Sequence, residues 1–542
     1  MLSLIGFLVI LAPLVVVHEF GHFFFARLFN VKAEAFSVGF GPVIWSRKFG
    51  ETDFRLSVIP LGGYVKLLGE DPEVELSEAD KKRALHNQTK WKRFFIFFGG
   101  PLFNFLFAIL IYMSILVIGE PQTASVVGRV VQNSIAEQAG FRGGDKILSV
   151  DGTPVRFFTD VLHNVHDKPN QPISFEVVHL NQTNPTTITV KSSSDEGYSM
   201  YGEPKEVGYI DGIFAQPRGL KLGVSNPESE ISKKGVQTGD ELASFNGETV
   251  NSWEHFLSLY QLAAPEESIE LSISKSNGEK KNISILKPKK SLNPESDLGL
   301  FSSELFIERV IKGSPAEKAK LTTGDRVIAI DDQPIFSFFA MKELIQSGAE
   351  KNGSVKISIE REGKKVIESI VPNESTERDP TLKKVKQFTI GVVPMFVMSE
   401  PVTIIERVFN PFVLLFEGTK RMLVLSYRNL VSLGKMLKGD VSVGTLGGPI
   451  LIGKIAGDSL SRGLISFLST MAVLSVGLGI LNVLPVPVLD GGHILLLGVE
   501  AVRRKKLSIE QMQTVQKVGL SLILILMVVV IKNDIMRLPL FN

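Results

Sequence analysis

Four apolar stretches mark the parts of this chain that are able to cross a lipid bilayer. A transmembrane helix needs about 20 apolar residues to span a hydrocarbon core of roughly 30 Å. Residues 1–17 contain no ionisable side chain, and the apolar run continues as far as Arg27. The later stretches are 94–118, 463–489 and a shorter one, 518–531. The pattern predicts four transmembrane helices, which we place at residues 1–27, 94–118, 463–492 and 516–533.

A fifth apolar stretch, residues 411–437, is interrupted by charged side chains. These are Glu417, Lys420, Arg421, Arg428 and Lys435. A helix with one apolar and one charged face lies in the membrane interface rather than across the bilayer. We therefore predict an amphipathic membrane-surface segment within residues 399–460.

The distribution of basic residues predicts the orientation of the helices. Residues 28–93 are rich in Lys and Arg, whereas the N-terminus before the first helix has neither. Residues 493–515 contain a second basic cluster, Arg503 to Lys506. Since basic loops stay in the cytoplasm, both loops are predicted to be cytoplasmic and the N-terminus to lie outside the cytoplasm. A cleaved signal peptide is the alternative for residues 1–26, but it would have a basic n-region, which this chain lacks.

The region between the second and third helices contains a repeated pattern. The first copy reads Ser134-Ile135-Ala136, Gly144-Asp145 and Val150-Asp151-Gly152, the third reads Ser314-Pro315-Ala316, Gly324-Asp325 and Ile330-Asp331-Asp332, and a weaker middle copy reads Gly239-Asp240 and Phe245-Asn246-Gly247. Such periodic self-similarity indicates repeated modules. The strings resemble bacterial PDZ domains, which we place at 121–215, 216–295 (degenerate) and 296–398. PDZ domains bind extended peptides by strand addition; a spacer without a ligand is the alternative.

Composition narrows the class of protein further. Hydrophobic residues make up 44% of the 542 residues, yet 21% are charged, which fits membrane helices joined to a large water-soluble insert. The formal net charge of only +2 gives no indication of nucleic-acid binding. The chain has no cysteine, so it has no disulfides, and a metal site would have to use histidine and carboxylate ligands.

The first apolar stretch contains His18-Glu19-Phe20-Gly21-His22, an H-E-x-x-H pattern. Histidines four residues apart lie on one face of a helix, where two imidazoles can bind one Zn²⁺ and the glutamate can act as general base towards a water molecule. Ionisable side chains inside a transmembrane helix are costly and are usually functional. The pattern therefore predicts His18 and His22 as metal ligands and Glu19 as the catalytic base. A juxtamembrane cluster that only ends the helix is the alternative.

A third ligand is expected near the end of the third helix, where the sequence runs Asn482-Val483-Leu484-Pro485-Val486-Pro487-Val488-Leu489-Asp490-Gly491-Gly492-His493. Two prolines break the helix at membrane depth, which is tolerated only against protein or a cavity. A carboxylate beside two imidazoles completes an accepted catalytic zinc set, so Asp490 is the predicted ligand. Asp490 as a helix cap and His493 as the ligand stay open as alternatives.

These motifs together resemble the site-2 protease family of intramembrane zinc metalloproteases, and the layout resembles its bacterial regulator-of-sigma-E protease branch. Further matching strings are Ser37-Val38-Gly39-Phe40-Gly41-Pro42, Pro60-Leu61-Gly62-Gly63-Tyr64-Val65-Lys66, Gly100-Pro101-Leu102-Phe103-Asn104 and Gly447-Gly448-Pro449-Ile450. The resemblance implies an α-helical polytopic membrane protein with four transmembrane helices and an α+β soluble insert of PDZ-like domains.

The resemblance also implies roles for individual residues. His18, His22 and Asp490 would bind zinc and Glu19 would be the general base. Asn482 would contact the substrate backbone or polarise the scissile carbonyl, unless it only stabilises the helix break. Gly39 and Gly41 would belong to a re-entrant β-hairpin that binds the substrate as a strand, unless they form an ordinary turn. Asn104 is a weaker candidate, because a lone Asn in a membrane helix often serves only packing.

The implied substrates are single-pass membrane proteins already trimmed by another protease, such as anti-sigma factors or remnant signal peptides. The implied location is the bacterial inner membrane, with the PDZ region periplasmic and the active site near the cytoplasmic side. One departure is that the branch usually has two PDZ domains, whereas this insert has motifs for three. The alternatives are a catalytically inactive PDZ scaffold of the envelope and a zinc-dependent transporter.

Overall fold

The computed structural model describes residues 2–537 except 70–75, 181, 200, 292 and 379–383. Its helices are α1 Leu2–Leu28, α2 Glu78–Lys81, α3 Lys90–Ile118, α4 Ile135–Ala139, α5 Phe158–His166, α6 Glu230–Lys233, α7 Trp253–Leu262, α8 Pro294–Leu298, α9 Pro315–Lys318, α10 Phe338–Asn352, α11 Pro411–Lys438, α12 Pro449–Ser461, α13 Leu464–Val483, α14 Asp490–Arg503 and α15 Ile509–Met536. Short 3₁₀ turns occupy Leu85–Asn87, Ser303–Leu305 and Val443–Thr445.

The strands fall into one sheet near the membrane helices and a series of small sheets in the insert. They are β1 Ala33–Phe49, β2 Thr52–Leu67, β3 Glu120–Thr123, β4 Arg129–Val130, β5 Lys146–Val150, β6 Thr153–Pro154, β7 Pro172–Val178, β8 Thr186–Lys191, β9 Ser193–Tyr198, β10 Pro204–Tyr209, β11 Ile213–Phe214, β12 Leu222–Gly223, β13 Glu241–Phe245, β14 Glu248–Thr249, β15 Ser268–Ser274, β16 Lys280–Leu286, β17 Phe301–Ser302, β18 Ile307–Val310, β19 Arg326–Ile330, β20 Gln333–Pro334, β21 Val355–Arg361, β22 Lys364–Ile370, β23 Asn373–Arg378, β24 Lys384–Thr389, β25 Val392–Pro394 and β26 Thr403–Glu406.

Four helices in the described part of the chain are long and apolar enough to cross a membrane. They are Ile5–Leu28, Lys90–Ile118, Leu464–Val483 and Glu510–Met536. The predicted fold class, four membrane helices with a sheet-rich insert, is confirmed. The third apolar stretch is not one continuous helix, because α13 ends at Val483 and α14 begins only at Asp490. Pro485 and Pro487 lie in this gap and lack the N–H groups that would continue α13.

Helices α1 and α3 pack with their backbones almost in contact. A Cβ atom built on Gly21 would lie 2.1 Å from the carbonyl oxygen of Gly99, and one on Gly99 would lie 2.6 Å from that of Gly21. Membrane helices associate through such small residues, because close approach increases van der Waals contact. The buried side chains of α13, including Ala472 and Val476, complete this core.

Helix α15 is attached to the other helices at two positions. The buried carboxylate of Asp534 accepts the backbone N–H groups of Gly448 (2.8 Å) and Ile450 (2.9 Å), which caps the start of α12. Nearer the start of α15, a Cβ on Gly519 would lie 2.4 Å from the Cβ of Pro487. Helix α15 therefore packs directly on the segment between α13 and α14.

Strands β1 and β2 are long and bent, so that parts of each strand pair twice and the two strands together form a small sheet. Residues 35–38 pair on one side with 63–66 and on the other side with 53–56, and 43–49 pair with 52–57. The outer part exposes large apolar side chains, including Ile44, Trp45 and Phe49. The turn is fixed by Arg83, which donates two hydrogen bonds to Glu51 (2.7 and 2.6 Å) and lowers the pKa of that carboxyl to about 2.

The insert contains three modules with the same strand order. Their four-stranded sheets run β6-β5-β7-β8, β14-β13-β15-β16 and β20-β19-β21-β22, and each module adds a two-stranded pair, β4 with β11, β12 with β17 and β18 with β25. The middle module has a full core around Trp253, Phe256 and Tyr260, all at most 1% exposed. The weak middle repeat in the sequence thus folds with the same strand order as the other two repeats and has its own core.

The buried aspartate of each Gly-Asp pair has the same structural role in the three modules. Its side chain accepts the backbone N–H three residues before it, as Asp145 does from Arg142 (2.8 Å). The same carboxylate also contacts a basic side chain from the neighbouring strand or the segment after it. The pairs are His179 with Asp145, Lys275 with Asp240 and Arg361 with Asp325.

The first and third modules are joined by a buried ion pair. Arg129 donates to Glu304 at 2.8 Å, and the two side chains are 3% and 4% exposed. The guanidinium carbon lies 4.4 Å from the centroid of Phe214, and Glu304 also accepts the backbone N–H of Phe338.

Strand β3, directly after α3, pairs with β26, which precedes α11. The insert therefore leaves and re-enters the helical region at one two-stranded joint.

Replacing Arg129 with Leu leaves the Glu304 carboxylate buried without its cation, which costs about 3–5 kcal/mol of stability. We expect a lower midpoint in thermal unfolding of the purified full-length protein in detergent. The control is Arg156→Leu, which breaks an exposed pair with Glu406 and is expected to cost less than about 1 kcal/mol. Equal effects of the two variants would contradict a structural role for the buried pair.

Candidate metal centre

Helix α1 places the two histidines of the H-E-x-x-H pattern side by side. His18 and His22 are four residues apart on one face of the helix, and their Nε2 atoms lie 3.3 Å from each other. The ring planes are nearly perpendicular, at 84°. Both side chains are largely buried, being 11% and 13% exposed. Two nitrogens are thus directed at one point inside the protein.

Asp490 reaches the same point from the other side of the helical core. Its Oδ2 lies 3.2 Å from Nε2 of His18, and its Oδ1 lies 3.5 Å from Nε2 of His22. Gly491 makes this position possible, because a Cβ there would lie 2.2 Å from the carbonyl oxygens of both Val483 and Leu484. The turn back into α14 is therefore tight enough to require glycine after the aspartate.

The backbone just before Asp490 is strained. Val488 has φ = +84°, a conformation that is a genuine outlier for a β-branched residue and costs of order 1–3 kcal/mol. Strain of this kind persists only where the surrounding structure holds it, and it is concentrated at functional sites. The strained conformation of Val488 therefore lowers the local stability of the segment between α13 and α14, and the same segment holds Asp490 in place.

The three side chains fit a tetrahedral zinc ion. Ligand atoms bound at about 2.0–2.1 Å in tetrahedral geometry lie about 3.3–3.4 Å from one another. The two Nε2 atoms are 3.3 Å apart, and each lies close to one of the two Asp490 oxygens, His18 to Oδ2 at 3.2 Å and His22 to Oδ1 at 3.5 Å. We call these three side chains the ligand triangle. In the described part of the chain, this is the only group of three or more His, Asp or Glu side chains whose ligand atoms lie close enough together to bind one metal ion. Two imidazoles and one carboxylate also leave the fourth position to water or substrate, as in catalytic sites.

A glycine on α3 forms the floor of the site. A Cβ on Gly100 would lie 2.4 Å from Nε2 of His22 and 2.8 Å from Nε2 of His18. No other residue type leaves room for both ligand atoms at this distance. Gly100 belongs to the motif Gly100-Pro101-Leu102-Phe103-Asn104, but this role was not predicted from the sequence, since it depends on contact between two helices.

Groups on α3 also orient the two imidazoles. Nδ1 of His22 donates to the backbone carbonyl of Ile96 at 2.8 Å, and Nδ1 of His18 lies 3.1 Å from Nδ2 of Asn104. Partners of this kind fix the ring orientation of metal-binding histidines. The carbonyl of Ile96 was not predicted, because any residue type would supply it.

The other predicted residues lie at different distances from the triangle. A Cβ on Gly63 would lie only 3.0 Å from Cγ of Glu19. Strand β2 thus passes directly beside this carboxylate. Nδ2 of Asn482 lies 3.4 Å from Nε2 of His18, so Asn482 belongs to the surroundings of the site.

His493 and the two hairpin glycines lie outside the triangle. The ring of His493 stacks on Phe97 with a centroid distance of 4.6 Å, and it is absent from the ligand group in the described residues. Gly39 and Gly41 have φ of +93° and +85°, and the contacts described for them are with Ser57 and Ile59 within the sheet. These glycines shape the bend of β1.

Fold and site together define the class of protein, a polytopic membrane metalloprotease with PDZ-like modules in its soluble insert. The chain matches the model for peptidase family M50 over residues 6–526 and belongs to that family. The predicted resemblance to site-2 proteases of the regulator-of-sigma-E branch is confirmed.

The relatives that this chain resembles extend over its whole length. It is 30% identical to the regulator of sigma-E protease of Escherichia coli (strain K12), with 99% of each chain covered. It is 31% identical to the regulator of sigma E protease of Haemophilus influenzae, again with 99% of each chain covered. Among solved structures, a PDZ domain protein from Parabacteroides distasonis matches 49% of this chain and 94% of its own, at 11% identity and a TM-score of 0.12.

Replacing Gly100 with Ala places a methyl group against both ligand nitrogens, so we expect zinc retention after dialysis against a chelator to fall about tenfold or more. The matched control is Gly477→Ala on α13, where a Cβ meets no atom within 4 Å. Metal analysis of the purified full-length variants provides the measurement. Full zinc retention by Gly100→Ala would show that the ligands are not arranged as described.

Proposed function

We propose that this protein is an intramembrane zinc endopeptidase that cleaves the transmembrane segment of single-pass membrane proteins. The observation that carries the proposal is the location of the ligand triangle within a membrane helix. His22 and His18 precede the end of α1 at Leu28 by 6 and 10 residues, or about 9–15 Å along the helix axis at 1.5 Å per residue. A peptide bond that reaches this site must itself lie in the bilayer.

Zinc would be held by Nε2 of His18, Nε2 of His22 and the carboxylate of Asp490. When bound, it supplies a positive charge that polarises the scissile carbonyl and makes a water molecule more acidic. Glu19 then takes a proton from the attacking water as the C–O bond forms. It returns that proton to the amide nitrogen as the C–N bond breaks. Asn482 lies close enough to donate a hydrogen bond to the carbonyl of the substrate.

The sheet of β1 and β2 supplies a means of presenting the substrate. A helical segment has its amide groups bonded internally, so it has to be extended before a peptide bond is accessible, and in a bilayer the freed groups need new partners. Residues 63–66, beside Glu19, pair with 35–38 on only one side in the described part of the sheet. An extended substrate added at this edge would place its backbone at the triangle. Gly39 and Gly41 act in this scheme by shaping the sheet.

The insert acts as the periplasmic filter of this scheme. The basic residues within 28–93 and 493–515 support a cytoplasmic location for both loops, which would put the ligand triangle in the cytoplasmic half of the inner membrane. The joint of β3 and β26 holds the three PDZ-like modules at the opposite end of α3. A substrate with a large periplasmic domain would meet them first, whereas one already trimmed by another protease would reach the helices.

The exposed apolar side chains of α11, including Phe412, Phe416 and Leu423, would face lipid.

Glu19→Gln is expected to keep bound zinc and to lower the rate of cleavage by about 100- to 10,000-fold, the usual contribution of a general base. The assay follows a purified single-pass substrate with a short periplasmic segment in proteoliposomes. Glu78→Gln, which alters a carboxylate on α2 that is 89% exposed and pairs with Lys81, serves as the control and is expected to cleave at the wild-type rate.

Cleavage by Glu19→Gln at the wild-type rate would remove this residue from the mechanism. Wild-type protein that binds peptide through its modules but holds no zinc and cleaves nothing would favour the inactive PDZ scaffold. Zinc uptake into vesicles without cleavage would favour a transporter.

A further inference from the structure

Asn104 is fully buried on α3 beside the predicted metal ligands. Its side chain is 0% exposed, and its Nδ2 lies 3.1 Å from Nδ1 of His18. Its Oδ1 is buried without a hydrogen-bond partner in the described structure. Burying a polar atom without a hydrogen-bond partner is unfavourable, so its presence beside a functional group requires an explanation.

Asn104 lies in line with the other groups of α3 that contact the two imidazoles. Ile96, Gly100 and Asn104 are spaced by four residues and therefore share one face of the helix. The carbonyl of Ile96 accepts from His22 at 2.8 Å, and the Cα of Gly100 faces both rings. His22 thus has its proton on Nδ1 and a free lone pair on Nε2, the form that binds a metal.

His18 needs the same arrangement, but the amide as placed does not provide it. The NH₂ end of an amide is only a donor, so a hydrogen bond from Nδ2 of Asn104 would require an unprotonated Nδ1 on His18. The ring proton would then occupy Nε2, which faces Oδ2 of Asp490 at 3.2 Å. That tautomer binds the carboxylate but has no lone pair on Nε2 for a metal.

Half a turn of the amide removes this conflict. The two ends of an Asn amide are nearly equal in size and are assigned from their hydrogen bonds. Exchanging them brings the unpaired Oδ1 to the position 3.1 Å from Nδ1 of His18, where it accepts the ring proton. The backbone of Asn104 is held during this exchange, because its carbonyl accepts a hydrogen bond from Ser475 at 2.7 Å.

We propose that Asn104 is a positioning residue for the metal centre, with its amide oxygen accepting the Nδ1 proton of His18 and so leaving Nε2 free to bind zinc. Asn104 does for His18 what the carbonyl of Ile96 does for His22. This role rests on the zinc centre of the proposed function. It requires an acceptor at position 104 and excludes a role in packing alone.

The test compares zinc affinity of full-length variants in detergent, measured by competition with a chelator. Asn104→Leu keeps the approximate shape but removes the acceptor, and it is expected to weaken zinc binding by about 10- to 100-fold. Asn104→Asp restores an acceptor and is expected to bind zinc within about threefold of wild type or more tightly. If Asn104→Leu does not fold, Asn104→Ala takes its place and is expected to weaken zinc binding by the same factor.

The matched control is Ser114→Ala on the same helix, which removes an exposed hydroxyl that donates to the carbonyl of Leu110 at 2.8 Å. Its zinc affinity is expected to stay within about threefold of wild type. Wild-type affinity in both Asn104→Leu and Asn104→Ala would overturn the proposal, and so would equal losses in Asn104→Asp and Asn104→Leu. Wild-type protein that binds no zinc would instead refute the metal centre on which the proposal rests.

Discussion

Helices α1 and α3 approach each other until their backbones touch, and the rest of the site depends on that contact. Any side chain at Gly21 or Gly99 would collide with the facing carbonyl, and any side chain at Gly100 would collide with the ligand nitrogens. Because the separation is so small, one face of α3 supplies an acceptor for His22, the floor beneath both imidazoles and an amide for His18. The histidines therefore have no freedom to turn away from the site.

The third side of the site is made differently, by breaking a helix. Pro485 and Pro487 end α13 within the membrane, and the chain returns as α14 with Asp490 as its first residue. That turn requires the strained backbone of Val488 and the glycines that follow Asp490. Helix α15 packs against the turn where Gly519 contacts Pro487. The closely packed pair of α1 and α3 and the break between α13 and α14 thus meet at one point, where the carboxylate of Asp490 lies beside the two imidazoles.

Much of this arrangement was predictable because it is local in sequence. Helix length and apolarity predicted the four membrane helices, and the four-residue spacing predicted that His18 and His22 share a face. Spacing alone left His493 open beside the predicted Asp490, since the choice between them depends on how tightly the segment before α14 turns. The roles of Gly100, the Ile96 carbonyl and Asn104 arise between helices, so no pattern within one segment reveals them. The bend of β1 and β2, which gives residues 35–38 two pairing partners, is likewise a tertiary property that the predicted hairpin did not include.

The central claim is that the triangle of His18, His22 and Asp490 binds one zinc ion, and zinc K-edge X-ray absorption on the purified full-length protein tests it most directly. The account predicts one zinc per chain with a shell of nitrogen and oxygen ligands at about 2.0–2.1 Å and outer-shell scattering from two imidazole rings. Absence of stoichiometric zinc, or a spectrum that requires one or three imidazoles, would contradict it.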